Sequence, residues 1–438
     1  MVGIRREDKS RWEARAPLVP ADIRRLTADG VRFQVQVAPV RRFPADEYRA
    51  AGAEIVPELT ACPVILGLKE IPPRCLEPDK TYVFFAHVTK GQAYNMPMLR
   101  RLMELGCTLI DYERIVDAQG RRLVFFGRYA GLAGMIDTLW ALGRRLAHEG
   151  VQTPFLDVRR AYDYRDLADA RAQIARIGAR IRAEGLPEAL RPFVCGFAGY
   201  GHVSHGAQEI YDLLPVRTIG PDELPAVRPD ASVCWKVVFR EEHMVAPAAA
   251  GTAFELQDYY QHPEKYRADF FRHVPHLSVL VNCIYWEPKY PRLLTKAQVR
   301  GLWSGPPLPR LRVIGDISCD IAGSVECTVK ATEPGAPVYV YEPATGRVCD
   351  GVVGAGPVIL AVDILPCELP VDASTYFGQQ LSPYVAALDR ADYAGTLAAS
   401  GLPPELARAA IVWRGELTEP YHYLANFVRG GTTQEGSA

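Results

Sequence analysis

The chain has 438 residues, of which 48% are hydrophobic, and its formal net charge is −1. That length suffices for two domains with a core each. The near-neutral balance disfavours nucleic acid or anionic lipid as a partner, since both attract basic surfaces, and no apolar run approaches the roughly 18–20 residues of a membrane span.

The first part of the chain alternates strand patterns with helix patterns. Strands are predicted at VGIRRE, RFQVQVAP, PVILGL, YVFFAH and CTLIDYE, and helices at PADIRRLTADG, ADEYRAAGAEIV and NMPMLRRLMELG. Such alternation is typical of a parallel sheet flanked by helices. RYAGLAGMIDTLWALGRRLAHEG then predicts one long helix, of the kind that commonly bridges two lobes.

The second part begins with a polar helical stretch and then returns to strands. Strands are predicted at FVCGFA, PVRTIG, ASVCWKVVF, LSVLVNCIYW, LRVIGDIS and GPVILAVDIL, and helices again from Asp372, in ASTYFGQQLSPYVAAL and PPELARAAIV. The predicted fold class is α/β, with two Rossmann-like, doubly wound parallel-sheet domains separated by a cleft. We expect residues 1–137 plus 372–438 to form a substrate and catalytic domain, 138–371 to bind a dinucleotide, and the last ten residues to be a frayed tail.

A glycine-rich turn, GYGHVSHG, follows a buried strand and opens a helix. Gly199 and Gly201 allow a tight turn, and the backbone N–H groups at His202, Val203 and Ser204 then face a pyrophosphate at the positive end of the helix. Ser204 replaces the third glycine of the usual pattern. The order of strand, turn and helix favours a dinucleotide site over an ordinary strand–helix turn.

The type of dinucleotide is predicted from the strand after that helix. A carboxylate at its end would bind the ribose hydroxyls of NAD. PVRTIG ends at Gly220 without one, Asp222 is set back in the loop, and Arg217 is the nearest cation. We therefore expect NADP(H) rather than NAD(H).

Carboxylates follow two later strands of the same domain. Asp316 and Asp320 lie in GDISCDIAGS, and Asp363 lies in AVDILP. Ligands of doubly wound sheets bind at the carboxyl ends of the strands. One of these carboxylates is thus expected near the nicotinamide, the alternative being a loop carboxylate that caps a helix.

Lys69 and His87 end neighbouring apolar runs of the first domain. Only nine of the 50 basic residues are lysines, and a lysine, unlike an arginine, can be made to titrate. Burial would lower the pKa of Lys69, while Glu70 and Glu113 would restrain that shift. Two such side chains at strand ends indicate proton transfer, although a snorkelling lysine and a hydrogen-bonded core histidine are the ordinary alternatives.

Other residue types narrow the chemistry further. Arg15, after the first strand, has the forked geometry to hold a substrate carboxylate. The ten cysteines show no spacing that would bind a metal, so no metal is expected. The charged amino terminus lacks the apolar core of a signal peptide, and we expect a cytoplasmic protein.

The motifs together resemble a known family. They are IRREDKSRWEARAPLVP, GLKE, FFAHVTKGQ, LIDYERIVDAQGRR, FGRYAGLAGMID, GYGHVSHGAQEIY, NCIYWE, PRLLT, GDISCDIAGSVE and ILPCELPVDASTYFG. From Ile4 to Phe427 the chain resembles the lysine-ketoglutarate reductase part of alpha-aminoadipic semialdehyde synthase, and more distantly the saccharopine and alanine dehydrogenases. The saccharopine-oxidising part of the fused enzyme has no counterpart in this sequence.

The resemblance implies a reaction and a set of site residues. The reaction is the NADPH-dependent condensation of L-lysine with 2-oxoglutarate to saccharopine. Lys69 and His87 match the acid–base pair, and Asp363 matches the aspartate that approaches the nicotinamide. The residues that match the surroundings of the substrate are Arg15, Glu70, Lys90, Glu113 and Arg122.

The chemistry of such a condensation assigns roles to these groups. His87 would take a proton from the amine, Lys69 would protonate the departing hydroxyl, and cations would hold the three carboxylates of the product. The candidate cations are Arg15, Lys90, Arg122 and Arg128. The alternatives are a reductase for a different amine and a dinucleotide-binding protein without turnover; an apolar carboxyl-terminal helix would suit a homodimer.

Overall fold

The computed structural model describes residues 1–429 and divides into two compact units. One unit is Met1–Phe126 together with the chain from Pro370 onwards, and the other is Gly127–Leu369. The sequence placed these boundaries at 137/138 and 371/372, whereas the units divide where a long helix begins and where the chain leaves the second sheet. Of the predicted tail, residues 429–438, only Arg429 is described, and it ends a helix.

The amino-terminal part of the first unit alternates strands and helices. Its elements are β1 (Val2–Ile4), α1 (Pro20–Ala28), β2 (Phe33–Gln36), α2 (Ala45–Ala50), β3 (Glu54–Val56), β4 (Val64–Leu66), β5 (Thr81–Phe84), α3 (Met96–Glu104) and β6 (Thr108–Asp111).

The second unit opens with the long helix and is completed by a second sheet. Its elements are α4 (Gly127–His148), α5 (Leu167–Glu184), β7 (Phe193–Ala198), α6 (His202–Tyr211), β8 (Val216–Thr218), β9 (Cys234–Phe239), α7 (Glu241–Met244), β10 (Val245–Pro247), α8 (Leu256–Gln261), β11 (Tyr266–Ala268), β12 (Val279–Asn282), α9 (Lys296–Leu302), β13 (Val313–Asp316), β14 (Val338–Tyr341), β15 (Val348–Asp350) and β16 (Val358–Leu360).

The chain then returns to the first unit. Its last elements are α10 (Pro370–Arg390), α11 (Pro404–Ala409), β17 (Ala410–Trp413), β18 (Glu416–Leu417) and α12 (Ala425–Arg429).

The first sheet has the strand order β18-β17-β6-β5-β4-β1-β2-β3. Strands β1 to β6 are all parallel, whereas β17 pairs antiparallel with β6. The central strands consist of buried apolar residues, including Val2, Ile4, Val64 and Leu66, as expected of a sheet that is covered on both faces.

The second sheet has the strand order β15-β14-β16-β13-β12-β7-β9-β8. Its central strands are parallel, and β14 and β15 form an antiparallel edge. The α/β class with two mainly parallel sheets is thus confirmed. PVRTIG does form the strand after α6, but this strand, β8, is the outermost one, and β9 rather than β8 pairs with β7, so its end is not the position from which to predict the type of dinucleotide.

Seven strands were not predicted, namely β3, β10, β11, β14, β15, β17 and β18, and two of them lie in segments assigned to helices. Glu54–Val56 forms β3 and Ala410–Trp413 forms β17, although both segments were assigned to helices. Gly52, at φ +102°, ends α2 and frees the following residues to extend. The β-branched run of β17 completes the sheet beside β6, where pairing overrides its helical flank.

Helices α4 and α6 of the second unit pack through glycines. A Cβ atom on Gly131 would lie 1.9 Å from the carbonyl oxygen of Val203, and one on Gly206 would lie 2.0 Å from that of Arg128. Only glycine permits this approach, so the small residues of the GLAG and SHG segments fix how closely α6 lies against α4.

A buried pair of carboxyl groups lies between α4 and the segment that precedes α10. Asp137 is fully buried and Glu368 is 1% exposed. The backbone N–H of Ala161 donates to Asp137 Oδ1 at 2.7 Å, whereas Asp137 Oδ2 and both oxygens of Glu368 have no donor among the described residues. Burial raises the pKa of Asp137 to about 6, and burial and the neighbouring Asp137 raise that of Glu368. The pair thus holds a shared proton near neutral pH.

We expect Asp137→Asn to flatten the pH dependence of stability above about pH 5. The folded state of the native chain binds protons that the unfolded chain has released, so its free energy of unfolding falls as pH rises through the raised pKa values. An asparagine still accepts from Ala161 and supplies its own N–H to Glu368.

Urea unfolding at about pH 5 and about pH 8 measures this difference. Asp350→Asn, which changes an exposed carboxylate of β15, is the control. A variant that keeps the full native slope would contradict the shared proton.

Candidate active site

Four neighbouring parallel strands of the first unit deliver polar side chains to one edge of the sheet. Glu7 follows β1, Lys69 follows β4, His87 follows β5 and Glu113 follows β6. Because these strands are adjacent and parallel, their carboxyl ends meet at the same edge. The structure therefore brings the predicted Lys69 and His87 to one edge.

Glu7 fixes the segment that carries Lys69. Its Oε1 accepts from the N–H of Leu68 at 2.8 Å and its Oε2 from the N–H of Lys69 at 3.0 Å. Burial, followed by the nearby Arg15, lowers the pKa of Lys69. This half-buried ammonium donates no hydrogen bond within residues 1–429, so Lys69 is positioned through its backbone and its amine remains available.

His87 is linked through Glu70 to the ammonium of Lys9. Its Nδ1 lies 2.9 Å from Glu70 Oε1, and the ammonium of Lys9 donates to Glu70 Oε2 at 2.7 Å. Burial alone would raise the pKa of Glu70, but the hydrogen bonds from His87 and Lys9 outweigh it and hold that pKa far below its usual value. The ionised Glu70 accepts the Nδ1 proton, which leaves Nε2 as the basic nitrogen.

The backbone of His87 is strained, at φ +48°. A left-handed conformation costs a non-glycine residue about 1–2 kcal/mol. The buried amide of Asn95 holds it by donating to the carbonyl oxygens of Ala86 at 3.0 Å and His87 at 3.1 Å. Such strain at a side chain aimed out of a sheet edge is typical of functional residues.

Asp111, the last residue of β6, adds a second carboxyl group beside His87. It is fully buried, its Oδ1 accepts from the N–H of Glu113 at 2.9 Å, and its Oδ2 has no partner in the described part of the chain. Burial and the charge of Glu113 raise its pKa to about 7, whereas His87 opposes that shift. Asp111 is therefore poised to carry a proton at neutral pH.

The predicted carboxylate-binding Arg15 has an internal partner. Its Nε donates to Glu13 Oε1 at 2.7 Å and its Nη2 to Glu13 Oε2 at 2.5 Å, and the guanidinium stacks over Phe126 at 4.3 Å. Both residues of the pair are buried. Burial would raise the pKa of Glu13, but Arg15 reverses the shift and keeps the carboxylate charged.

The other predicted substrate contacts are spread over both units. Glu113 pairs with the exposed Arg122 at 3.2 Å, and the exposed Lys90 follows the His87 loop. Arg128 lies in the second unit, where its guanidinium binds Glu209 at 2.7 and 2.6 Å. Arg128 therefore belongs to a different unit from Lys69 and His87.

The glycine turn has the predicted form. Gly199 adopts φ +98°. Gly201 is the N-cap of α6, and a Cβ atom added to it would meet only open space. His202 is exposed and Val203 is half-buried, whereas Ser204 is buried and accepts from Gln208 at 3.0 Å. The backbone after β7 is therefore open to a ligand, and the side chain of Ser204 faces the interior.

The predicted carboxylates differ in exposure. Asp363, after β16, is exposed. Asp316 is buried and accepts from Asn282 at 2.8 Å and from Thr328 at 2.5 Å, and burial raises its pKa to about 6. Asp316 thus ties β13 to the following loop, whereas Asp320 and Asp363 are both exposed.

Arg217 lies away from the glycine turn. It is in the outermost strand β8, where it is exposed and stacks over Trp235 at 5.4 Å. With Arg182 and Lys236 it lines an open hollow of about 820 Å³. Arg217 pairs with Trp235 in the first half of β9, whereas the turn lies beyond the other end of that strand.

Several residues of the site were missed by the sequence patterns: Glu7, Lys9, Glu13, Asn95 and Asp111. Glu7 follows β1 much as Lys69 follows β4, and Asp111 ends a buried strand. A carboxylate at a strand end was thus the available signal for both. Asn95 and Glu13 had none, because their roles depend on loop contacts.

The fold defines the class: a protein with the two-domain α/β fold of alanine dehydrogenase. A solved L-alanine dehydrogenase matches 98% of this chain and 99% of its own, with a TM-score of 0.61 at 17% identity. Residues 3–133 match the model of the alanine dehydrogenase/PNT N-terminal domain.

The particular resemblance is to alpha-aminoadipic semialdehyde synthase, and it is confirmed. The Arabidopsis thaliana protein of that name is 38% identical over 97% of this chain and 41% of its own length. The Neurospora crassa saccharopine dehydrogenase [NAD(+), L-lysine-forming] is 28% identical over 88% of this chain and 90% of its own. The chain spans less than half the length of the synthases it matches.

Residues 1–429 show neither a metal-ligating cluster nor a membrane-spanning helix. No group of three or more metal-ligating side chains is found there. No helix in the same range is both long and apolar enough to cross a membrane.

We expect His87→Gly to be more stable than His87→Ala by about 1 kcal/mol, because only glycine adopts φ +48° without strain. Both variants lose the imidazole and its bond to Glu70, so their difference isolates the backbone term. Chemical denaturation measures it. Equal stabilities, or a more stable alanine variant, would show that the His87 conformation is not strained.

Proposed function

We propose that this protein is an oxidoreductase that condenses L-lysine with 2-oxoglutarate and reduces the resulting imine to saccharopine, with NADP(H) as the cofactor. The observation that carries the proposal is the Lys69–Glu70–His87 arrangement on adjacent strand ends. The named relatives support it, since they are saccharopine dehydrogenases or synthases in the same lysine chemistry.

His87 is the proposed base for the amine. A free ε-ammonium has a pKa of about 10.4 and must lose its proton before it can attack a carbonyl carbon. Nε2 of His87 takes that proton, and the ionised Glu70 on Nδ1 stabilises the imidazolium that forms. Asp111 is close enough to influence the same charge.

Lys69 is the proposed acid for the loss of water. The carbinolamine loses hydroxide only if a proton reaches the departing oxygen. An ammonium whose pKa is lowered by burial gives up its proton more readily than a solvated lysine. Glu7 holds the backbone N–H of Lys69, so the amine is delivered from a fixed point of the sheet edge.

Cations are needed for the three carboxylates of the product. Arg15, Lys90, Arg122 and Arg128 remain our candidates. Glu13, Glu113 and Glu209 already pair with the three arginines, so each of these guanidinium groups would share its remaining N–H donors with the substrate.

The second unit fits a nicotinamide dinucleotide, which supplies the hydride when bound. The positive φ of Gly199 and the open space at Gly201 leave the start of α6 accessible to a pyrophosphate. The N–H groups at His202, Val203 and Ser204 would bind it, and the exposed Asp363 would approach the nicotinamide. The cytoplasmic location and a homodimer stay predictions.

We expect Lys69→Met to lower kcat/KM for NADPH oxidation with L-lysine and 2-oxoglutarate by about 10²–10⁴-fold. NADPH binding is expected to be unchanged. Absorbance reports NADPH consumption, and mass spectrometry reports saccharopine. Lys80→Met makes the same change just before β5 begins, at the opposite end of the strand from His87, and serves as the control.

Each outcome separates the alternatives. Consumption only with another amine in a panel would replace lysine as the substrate. Cofactor binding without consumption would favour a protein without turnover. Full activity in Lys69→Met would exclude the proposed proton transfer.

A further inference from the structure

The strand order identifies a different residue beside the dinucleotide turn. The N–H of Gly199 donates to the carbonyl oxygen of Phe239 at 3.0 Å, and Ala198 pairs with Phe239 in register. The next residue is Arg240. It thus occupies the place, after the strand adjacent to the glycine strand, from which Rossmann proteins read the adenosine ribose.

Arg240 is presented to solvent in a defined position. Its side chain is exposed, and its guanidinium stacks over the ring of Tyr200, the residue between the two glycines, at 4.7 Å. Its backbone N–H donates to His243 Nδ1 at 3.0 Å. Stacking leaves the edge of the guanidinium, where the N–H donors are, open to an anion.

The acid next to Arg240 in the chain is bound by a tyrosine hydroxyl. Glu241 follows Arg240, and its Oε1 accepts from the hydroxyl of Tyr260 at 2.7 Å. A carboxylate that prefers NAD would have to accept both ribose hydroxyls. Arg240 therefore adds an exposed positive charge next to the turn, over Tyr200.

We propose that Arg240 binds the 2′-phosphate of NADP(H) and sets the preference for it over NAD(H), an inference that rests on the proposed dinucleotide-dependent function. The phosphate carries a charge of about −1.5 to −2 at neutral pH. Arginine binds such a group through two N–H donors at once.

The test measures binding of NADPH, NADH, adenosine 2′,5′-bisphosphate and 5′-AMP to the whole chain by calorimetry. Arg240→Ala is expected to weaken NADPH and the 2′,5′-bisphosphate by about 10–100-fold and to leave NADH and 5′-AMP unchanged. Arg240→Lys is expected to retain part of the preference. The control is Arg159→Ala, which removes another exposed arginine stacked over a tyrosine, Tyr164, in the same unit.

Three results would overturn the inference. One is a native chain that binds NADH as tightly as NADPH. Another is an Arg240→Ala variant that keeps the native preference. The third is a loss of preference in Arg217→Ala instead, which would assign the phosphate to the outermost strand.

These measurements are independent of the amine. If the Arg240 dependence is found and lysine is not consumed, the cofactor assignment stands and the proposed substrate fails. If lysine is consumed with equal use of both cofactors, the proposed reaction stands, whereas the NADP(H) preference and the role of Arg240 fail.

Discussion

The parallel register of β1, β4, β5 and β6 is the constraint on which the candidate site depends. Pairs such as Leu66 with Val83 and Phe84 with Asp111 hold the strand ends level. Since side chains alternate between the faces of a sheet, slipping one strand by one residue would turn its apolar residues away from the core. Burial of those residues therefore also fixes where Lys69 and His87 leave the sheet.

The same edge concentrates buried charge, which has an energetic cost. Removing a carboxylate from water is unfavourable unless donors replace the water. The edge meets this need in three ways: Glu13 takes the guanidinium of Arg15, Glu7 takes two backbone N–H groups, and Glu70 takes His87 and Lys9. Burial nevertheless raises the pKa of Glu7, and it also raises the pKa of Asp111, which lacks a donor on Oδ2. The edge thus contains both a carboxylate held ionised and one that carries a proton near neutral pH.

The sequence predicted the features that depend on residues close together in the chain and missed those that depend on distant ones. Lys69, His87 and the glycine turn were predicted because each is read from a short run next to its strand. Glu13, Asn95 and the carboxyl pair of Asp137 and Glu368 were not, because their contacts depend on segments that only the folded chain brings together. β3 and β17 were missed for a related reason: both are short and come soon after a helix, and pairing with β2 and β6 decides their conformation.

Arg217 and Arg240 show most directly what strand order adds. Each is an arginine in or just after a strand, each is exposed, and each stacks over an aromatic ring. Chain order alone would choose Arg217 as the residue that binds the ribose phosphate, since its strand comes first after α6. The pairing of the strands chooses Arg240 instead, since β9 rather than β8 pairs with the glycine strand. The chain forms the outermost strand, β8, before it forms β9, which lies next to the glycine strand. The position that binds the ribose is therefore at the end of β9, although the sequence patterns around Arg217 and Arg240 are alike.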